Sequence, residues 1–178
     1  MRFTATLVLA LGVVVAPLTA QPPTEQTKRG QELFLKSPKG TACGTCHEMA
    51  GQGTAVGPNL KNIASYAMPR GIVMAIRMSS TETVQLVTPA GGAKPFPARI
   101  VEKQGGVYKL WNLSGTPPVL LTLNEKEVES LARDQSWKHP PASAGYTANE
   151  LADIVGFLRW ASTGNQKVVT EDEVGSSQ

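Results

Sequence analysis

The feature that most constrains this chain is the run Cys43-Gly44-Thr45-Cys46-His47. It holds both cysteines of the 178 residues and one of the two histidines. A disulfide across Cys-x-x-Cys closes a tiny loop and stabilises little, and its redox-active versions sit in a thioredoxin-like βαβ setting that the flanking sequence lacks. Zinc asks for about four ligands, and one cysteine pair with histidines at 47 and 139 is a poor match. A histidine directly after the second cysteine decides the matter, because C-x-x-C-H is the pattern of covalent c-type haem attachment.

The rest of the chain offers no competing chemistry: no nucleophile–base pair, phosphate loop or further metal-ligand cluster stands out, so no catalytic residue is assigned. At this length one domain, or one domain carrying an insertion, is expected. The hydrophobic fraction of 41% is ordinary, but aromatic residues make up only 6%, and a bound porphyrin would supply the missing apolar bulk. The net charge is +3 and no dense Lys/Arg run accompanies it, which argues against a nucleic-acid partner.

Residues 1–20 read as an export signal. Arg2 supplies the positive end, Leu7 to Ala16 a short apolar stretch, and Leu18-Thr19-Ala20 a cleavage site. Pro17 interrupts the apolar run, which is short for a bilayer span. A periplasmic or otherwise secreted product follows, with membrane contact only if the leader stays uncleaved.

Beyond the leader, Thr24 is placed to cap a helix that has Glu25 in its first turn and runs to about Lys36. Ser37-Pro38-Lys39-Gly40 ends it. After the haem motif come a Gly-rich loop over 51–57 and the run Pro58-Asn59-Leu60. Helical spacing of Ile72, Val73, Ile76 and the nearby methionines predicts a second helix over 69–78. Four β-prone runs follow (83–88, 96–102, 107–113 and 119–123), separated by Gly- and Pro-bearing turns. They predict a small antiparallel sheet of three or four strands inserted over about 81–123. Asn124 with Glu127 predicts a return to helix as far as Arg133. The last helix is the best specified: Thr147 and Glu150 form a capping box, Tyr146 and Leu151 a hydrophobic staple, and Gly164 a stop. Leu151, Ile154, Val155 and Leu158 make its apolar stripe. Residues 167–178 are polar and acidic, with Glu171, Asp172 and Glu173, and are expected to be disordered.

Taken together, the haem motif, Gly30 and Phe34, Gly57-Pro58-Asn59-Leu60 and the closing run Glu150 to Leu158 resemble class I cytochromes c. The resemblance implies a mainly α fold: a helical domain over 21–166 around one covalent haem c, with the small sheet inserted before the last two helices. It also implies that the first and last helices cross at Gly30, with Phe34 against Phe157 and Trp160. The inserted sheet is similar to that of acidobacterial-type haem-binding domains and of modules of quinoprotein dehydrogenases. That likeness makes periplasmic redox proteins, a quinoprotein dehydrogenase among them, the expected partners.

The same resemblance implies the roles of the site residues. Cys43 and Cys46 form thioethers and His47 is the proximal iron ligand, with Pro58 beside its ring and a nearby carbonyl accepting its Nδ1–H. The family supplies a Met-Pro pair shortly before the last helix, but none of the five methionines lies beyond Met78. His139-Pro140 stands at that place instead. The sixth ligand is therefore His139, unless that histidine is merely a solvated loop residue, or else Met68, Met74 or Met78 from the second helix; otherwise those methionines pack against haem or core. Two histidines would lower the reduction potential relative to a Met/His pair. The function expected is a low-potential carrier of single electrons, not an enzyme. The alternatives are a haem subunit of a periplasmic oxidoreductase and a haem-based gas or redox sensor.

Overall fold

The computed structural model describes residues 22–78, 83–140 and 145–175. The expected leader lies outside them. Two helices form the frame. In α1 (Glu25–Leu35) the Thr24 hydroxyl accepts from the Thr27 backbone amide at 3.1 Å, and Thr27, Gly30 and Phe34 make the buried face. In α4 (Ala148–Thr163) Thr147 and Glu150 close the expected capping box, and Gly164 ends the helix in the left-handed conformation at φ 73°. Everything from Leu151 to Leu158 is buried.

The helices cross at Gly30. A Cβ there would run into the Asp153 carbonyl and come within 2.9 Å of the Phe157 Cβ, so only glycine permits the approach. Phe34 and Phe157 meet beside it with ring centres 5.3 Å apart, and Trp160 follows at 6.4 Å from Phe157. Arg29 clamps the crossing by donating from two nitrogens to the Asp153 carboxylate, each at 2.8 Å. Two shorter helices, α2 (Lys61–Tyr66) and α3 (Pro69–Arg77), complete this core with Ala64, Ile72 and Val73.

A two-residue hairpin of β1 (Glu48–Met49) and β2 (Gln52–Gly53) follows the haem motif. The main sheet has five antiparallel strands: β3 (Gln85–Pro89), β4 (Phe96–Gln104), β5 (Val107–Asn112), β6 (Val119–Asn124) and β7 (Val128–Arg133). Their spatial order is β6-β5-β4-β3-β7. Gly105 and Gly106 join β4 to β5, both at positive φ as a tight two-residue hairpin requires. Val87, Ala98, Tyr108 and Leu110 give the sheet a small core of its own, separate from that of the helices.

Four expectations are corrected. The segment Asn124–Arg133 is not a helix. Asn124 and Glu127 do form a capping box, but it closes one 3-10 turn (Glu125–Glu127), after which β7 adds to the free edge of β3 as a fifth strand. Val128 and Leu131 stand three apart, which reads as helical. A bulge opposite Thr88/Pro89 absorbs one residue, so both instead pack against the sheet's core. With 36% of the described residues helical, 3-10 turns included, and 25% in strands, the fold is α plus β rather than mainly α.

The segment after 167 is also ordered as far as Gly175. Val169 and Val174 are buried in the helical core, and the Gln26 side chain brackets Val169 by donating to its carbonyl at 2.7 Å and accepting from its amide at 2.9 Å. The acidic residues form the first turn of a short helix, α5 (Glu171–Val174), where they complement its dipole. Finally, Met68, Met74 and Met78 are not core residues. They are 74, 52 and 76% exposed, because α3 turns Ile72 and Val73 inward and these three away.

Candidate haem-attachment site

The attachment motif is built on the end of α1. Cys43–Thr45 form one 3-10 turn, closed by the amides of Cys46 and His47 donating to the Cys43 carbonyl at 3.1 and 2.8 Å. Gly44 is buried beneath it, and a Cβ there would press on the Phe34 carbonyl at 3.2 Å and on Leu35 at 3.0 Å. The two cysteines are not bridged to each other, and burial pushes both thiol pKa values up. Thiol–disulfide exchange sites depend on the opposite shift.

The loop after β2 folds back over the motif. Thr54 donates to the Gly44 carbonyl at 2.9 Å and Gly57 to the Cys46 carbonyl at 2.5 Å. This brings Gly57 onto the imidazole of His47, where a Cβ would lie 2.8 Å from Nδ1 and 3.0 Å from Nε2. Pro58 comes next, and its own carbonyl oxygen lies 2.8 Å from His47 Nδ1. A carbonyl only accepts, so Nδ1 carries the proton and Nε2 keeps its lone pair. Burial pushes the His47 pKa down; the Pro58 carbonyl opposes this, and His139 and Arg99 add to it. The neutral ring is the form that binds a metal.

His139 comes close to His47. Its ring centre is 6.0 Å from that of His47, with 35° between the planes. Its Nδ1 lies 2.6 Å from the Pro140 carbonyl, which again leaves Nε2 free to ligate. Trp137 meets the same ring edge-on at 6.2 Å. Two imidazoles on opposite sides of one metal ion need bonds of about 2 Å each, with each ring centre roughly 1 Å behind its nitrogen. That arrangement also gives about 6 Å, so the residues fit an ion between them.

The structure therefore brings together Cys43, Cys46, His47, Pro58 and His139, and leaves Met68, Met74 and Met78 on exposed ground. Two contributors carried little sequence signal. Arg99, on β4, donates from Nη1 to the carbonyl of Val56, one residue before Gly57. Asp134 accepts from the Ser136 amide and hydroxyl and from the Trp137 amide, at 2.8, 2.7 and 3.0 Å, in the turn that leads to His139. The Asp-x-Ser spacing of an Asx turn was the available clue to Asp134; Arg99 had none.

Comparison with known proteins identifies the family. A family model described as "Cytochrome c" matches residues 27–133, from α1 to the end of β7. The chain is also 39% identical over 61 residues to cytochrome c-555 of Methylococcus capsulatus, a match covering 34% of this chain and 46% of that relative. The chain thus spans less than half the length of that relative.

Proposed function

The chain belongs to the cytochrome c family and carries one covalently attached haem c, and we propose that it is an exported electron carrier whose iron is held between His47 and His139. When bound, the haem supplies a one-electron couple between ferric and ferrous iron. Each residue's part follows from its place. Cys43 and Cys46 anchor the porphyrin by thioethers. His47 would ligate through Nε2, with the Pro58 carbonyl holding its Nδ1, an arrangement that fixes the ring and strengthens its donation. His139, held likewise by Pro140, would supply the second imidazole. Trp137 packs edge-on against the His139 ring.

The observation that carries this reading is the 6.0 Å separation of the two rings with both Nδ1 atoms committed to carbonyls. Imidazole favours ferric iron more than a thioether does, so the potential is low for a class I cytochrome. The export-signal pattern of residues 1–20 supports a periplasmic setting, and the inserted sheet supports an oxidoreductase of the quinoprotein dehydrogenase kind as partner.

Near-infrared magnetic circular dichroism of the oxidised protein tests the ligand set. The expected spectrum is that of bis-histidine haem, lost in His139→Ala. A methionine–iron charge-transfer band that survives His139→Ala would eliminate the proposal.

A further inference from the structure

The sheet lies between α3 and α4 in the chain and has its own small core, so the helices do not need it for their packing. Its pairing shows what it reaches. Gln85, the first residue of β3, stands opposite Ala98 of β4 on one side and Arg133 of β7 on the other. One step further along these ladders, Val84 comes level with Arg99 and Asp134, and the Asp134 amide donates to the Val84 carbonyl at 3.0 Å. Arg99 and Asp134 thus stand in one row on either side of Val84, two strand spacings or about 10 Å apart.

These two residues hold different parts of the site. Arg99 grips the Val56 carbonyl, and so the loop whose Gly57 and Pro58 seat the His47 ring. Buried Asp134 gathers the Ser136 and Trp137 amides and the Ser136 hydroxyl, and so fixes the turn that delivers Trp137 and His139. We propose that the inserted sheet is a brace for the axial ligands, with Arg99 and Asp134 as positioning residues that set the spacing between His47 and His139. The proposal rests on the bis-histidine reading above. In this view the segment that supplies the sixth ligand is held by the sheet rather than by α4.

The test uses purified holoprotein carrying Asp134→Ala, Asp134→Asn, Arg99→Ala or Arg99→Lys. Low-temperature electron paramagnetic resonance of the ferric state and carbon monoxide binding to the ferrous state are measured alongside thermal melting. Losing the turn's hydrogen bonds in Asp134→Ala should raise the carbon monoxide-reactive fraction about tenfold, the factor expected for one such bond or more. Asp134→Asn keeps an acceptor oxygen for the two amides and should stay near wild type. Arg99→Ala should shift the ferric low-spin signal, and Arg99→Lys should restore part of it. A bis-histidine wild type whose Asp134→Ala and Arg99→Ala forms keep its signal and its carbon monoxide reactivity overturns the brace alone. Should Asp134→Ala fail to fold, Arg99→Ala carries the test: a holoprotein of that variant with the wild-type ferric signal and carbon monoxide reactivity overturns the brace. A wild type without bis-histidine signature overturns both readings together.

Discussion

Gly57 lies flat against the imidazole of His47, with no room for a side chain between them. The amide of the same glycine donates to the Cys46 carbonyl at 2.5 Å, so the loop cannot retreat without breaking its tie to the attachment motif. Gly57→Ala should therefore push the His47 ring out of line and loosen its bond to Pro58. The expected cost is about 1–3 kcal/mol from overpacking. Thermal melting of the holoprotein would fall by roughly 2–4 °C per kcal/mol, and the ferric spectrum would show a high-spin fraction.

Gly30 makes the same demand at the helix crossing, but there the obstacle is backbone. Its added methyl would collide with the Asp153 carbonyl in the middle of α4, which cannot rotate away. Gly30→Ala should cost about 3 kcal/mol or more, the upper end for overpacking, and should separate Phe34 from Phe157. Denaturant unfolding and the near-ultraviolet circular dichroism of the aromatic cluster would report it.

Arg29 and Asp153 form a forked pair in which the carboxylate is buried and the arginine is half exposed. Removing the arginine leaves a buried anion without its partner. The exposure of Arg29 moderates the penalty, so Arg29→Ala should cost about 1–3 kcal/mol. Arg29→Lys should recover only part of this, because an ammonium group lacks the two-pronged geometry. Urea unfolding of the two variants beside wild type measures the difference.

Much of this architecture was legible because it is local. The attachment motif, the Thr147–Glu150 capping box, the Gly105-Gly106 hairpin and the stop at Gly164 each depend on residues within a few positions of one another. The face of α1 with Gly30 and Phe34 was legible too, since one helix repeats its inward positions. What escaped was set by distant partners. Val128 and Leu131 became strand residues because β3 offered a free edge and a bulge to absorb Glu129. Val169 entered the core because Gln26, far back in the chain, met both its backbone groups. At the site His139 was legible from its proline and its place, whereas Arg99 acts through a carbonyl on another segment and leaves no pattern in its own neighbourhood.

Glu150 closes the capping box and also accepts from Lys39 at 2.6 Å, which ties the segment after α1 to the start of α4. The Lys39 hydrogen bond and then the Thr147 amide hold its carboxyl below the usual value of 4.5, against a small opposing effect of burial. The folded-state pKa is thus the lower one, and folding favours the ionised form. That contribution is present in full above the unfolded value and is lost as pH falls through the folded one. Glu150→Gln lacks it at every pH. Melting temperatures of the two proteins should therefore differ most near neutrality, converge as pH drops through the ordinary glutamate range, and coincide below the depressed value. A gap that stays constant from pH 7 to pH 3 would show that the carboxylate's charge plays no part in holding α4.

His139→Met puts the usual sulfur ligand in the place where this chain carries nitrogen. The backbone at Pro140 and the turn gathered by Asp134 are untouched, so the side chain should still be delivered towards His47. Thioether sulfur stabilises ferrous iron relative to imidazole, so the reduction potential should rise. Potentiometric titration of wild type and variant gives the shift, and the appearance of a methionine–iron charge-transfer band in the oxidised variant shows that the sulfur has bound. His139→Ala sets the reference, with an open sixth position and rapid carbon monoxide binding. A His139→Met protein with an unchanged potential and no new band would mean that residue 139 does not reach the iron, and that the 6.0 Å approach of the two rings has no part in electron transfer.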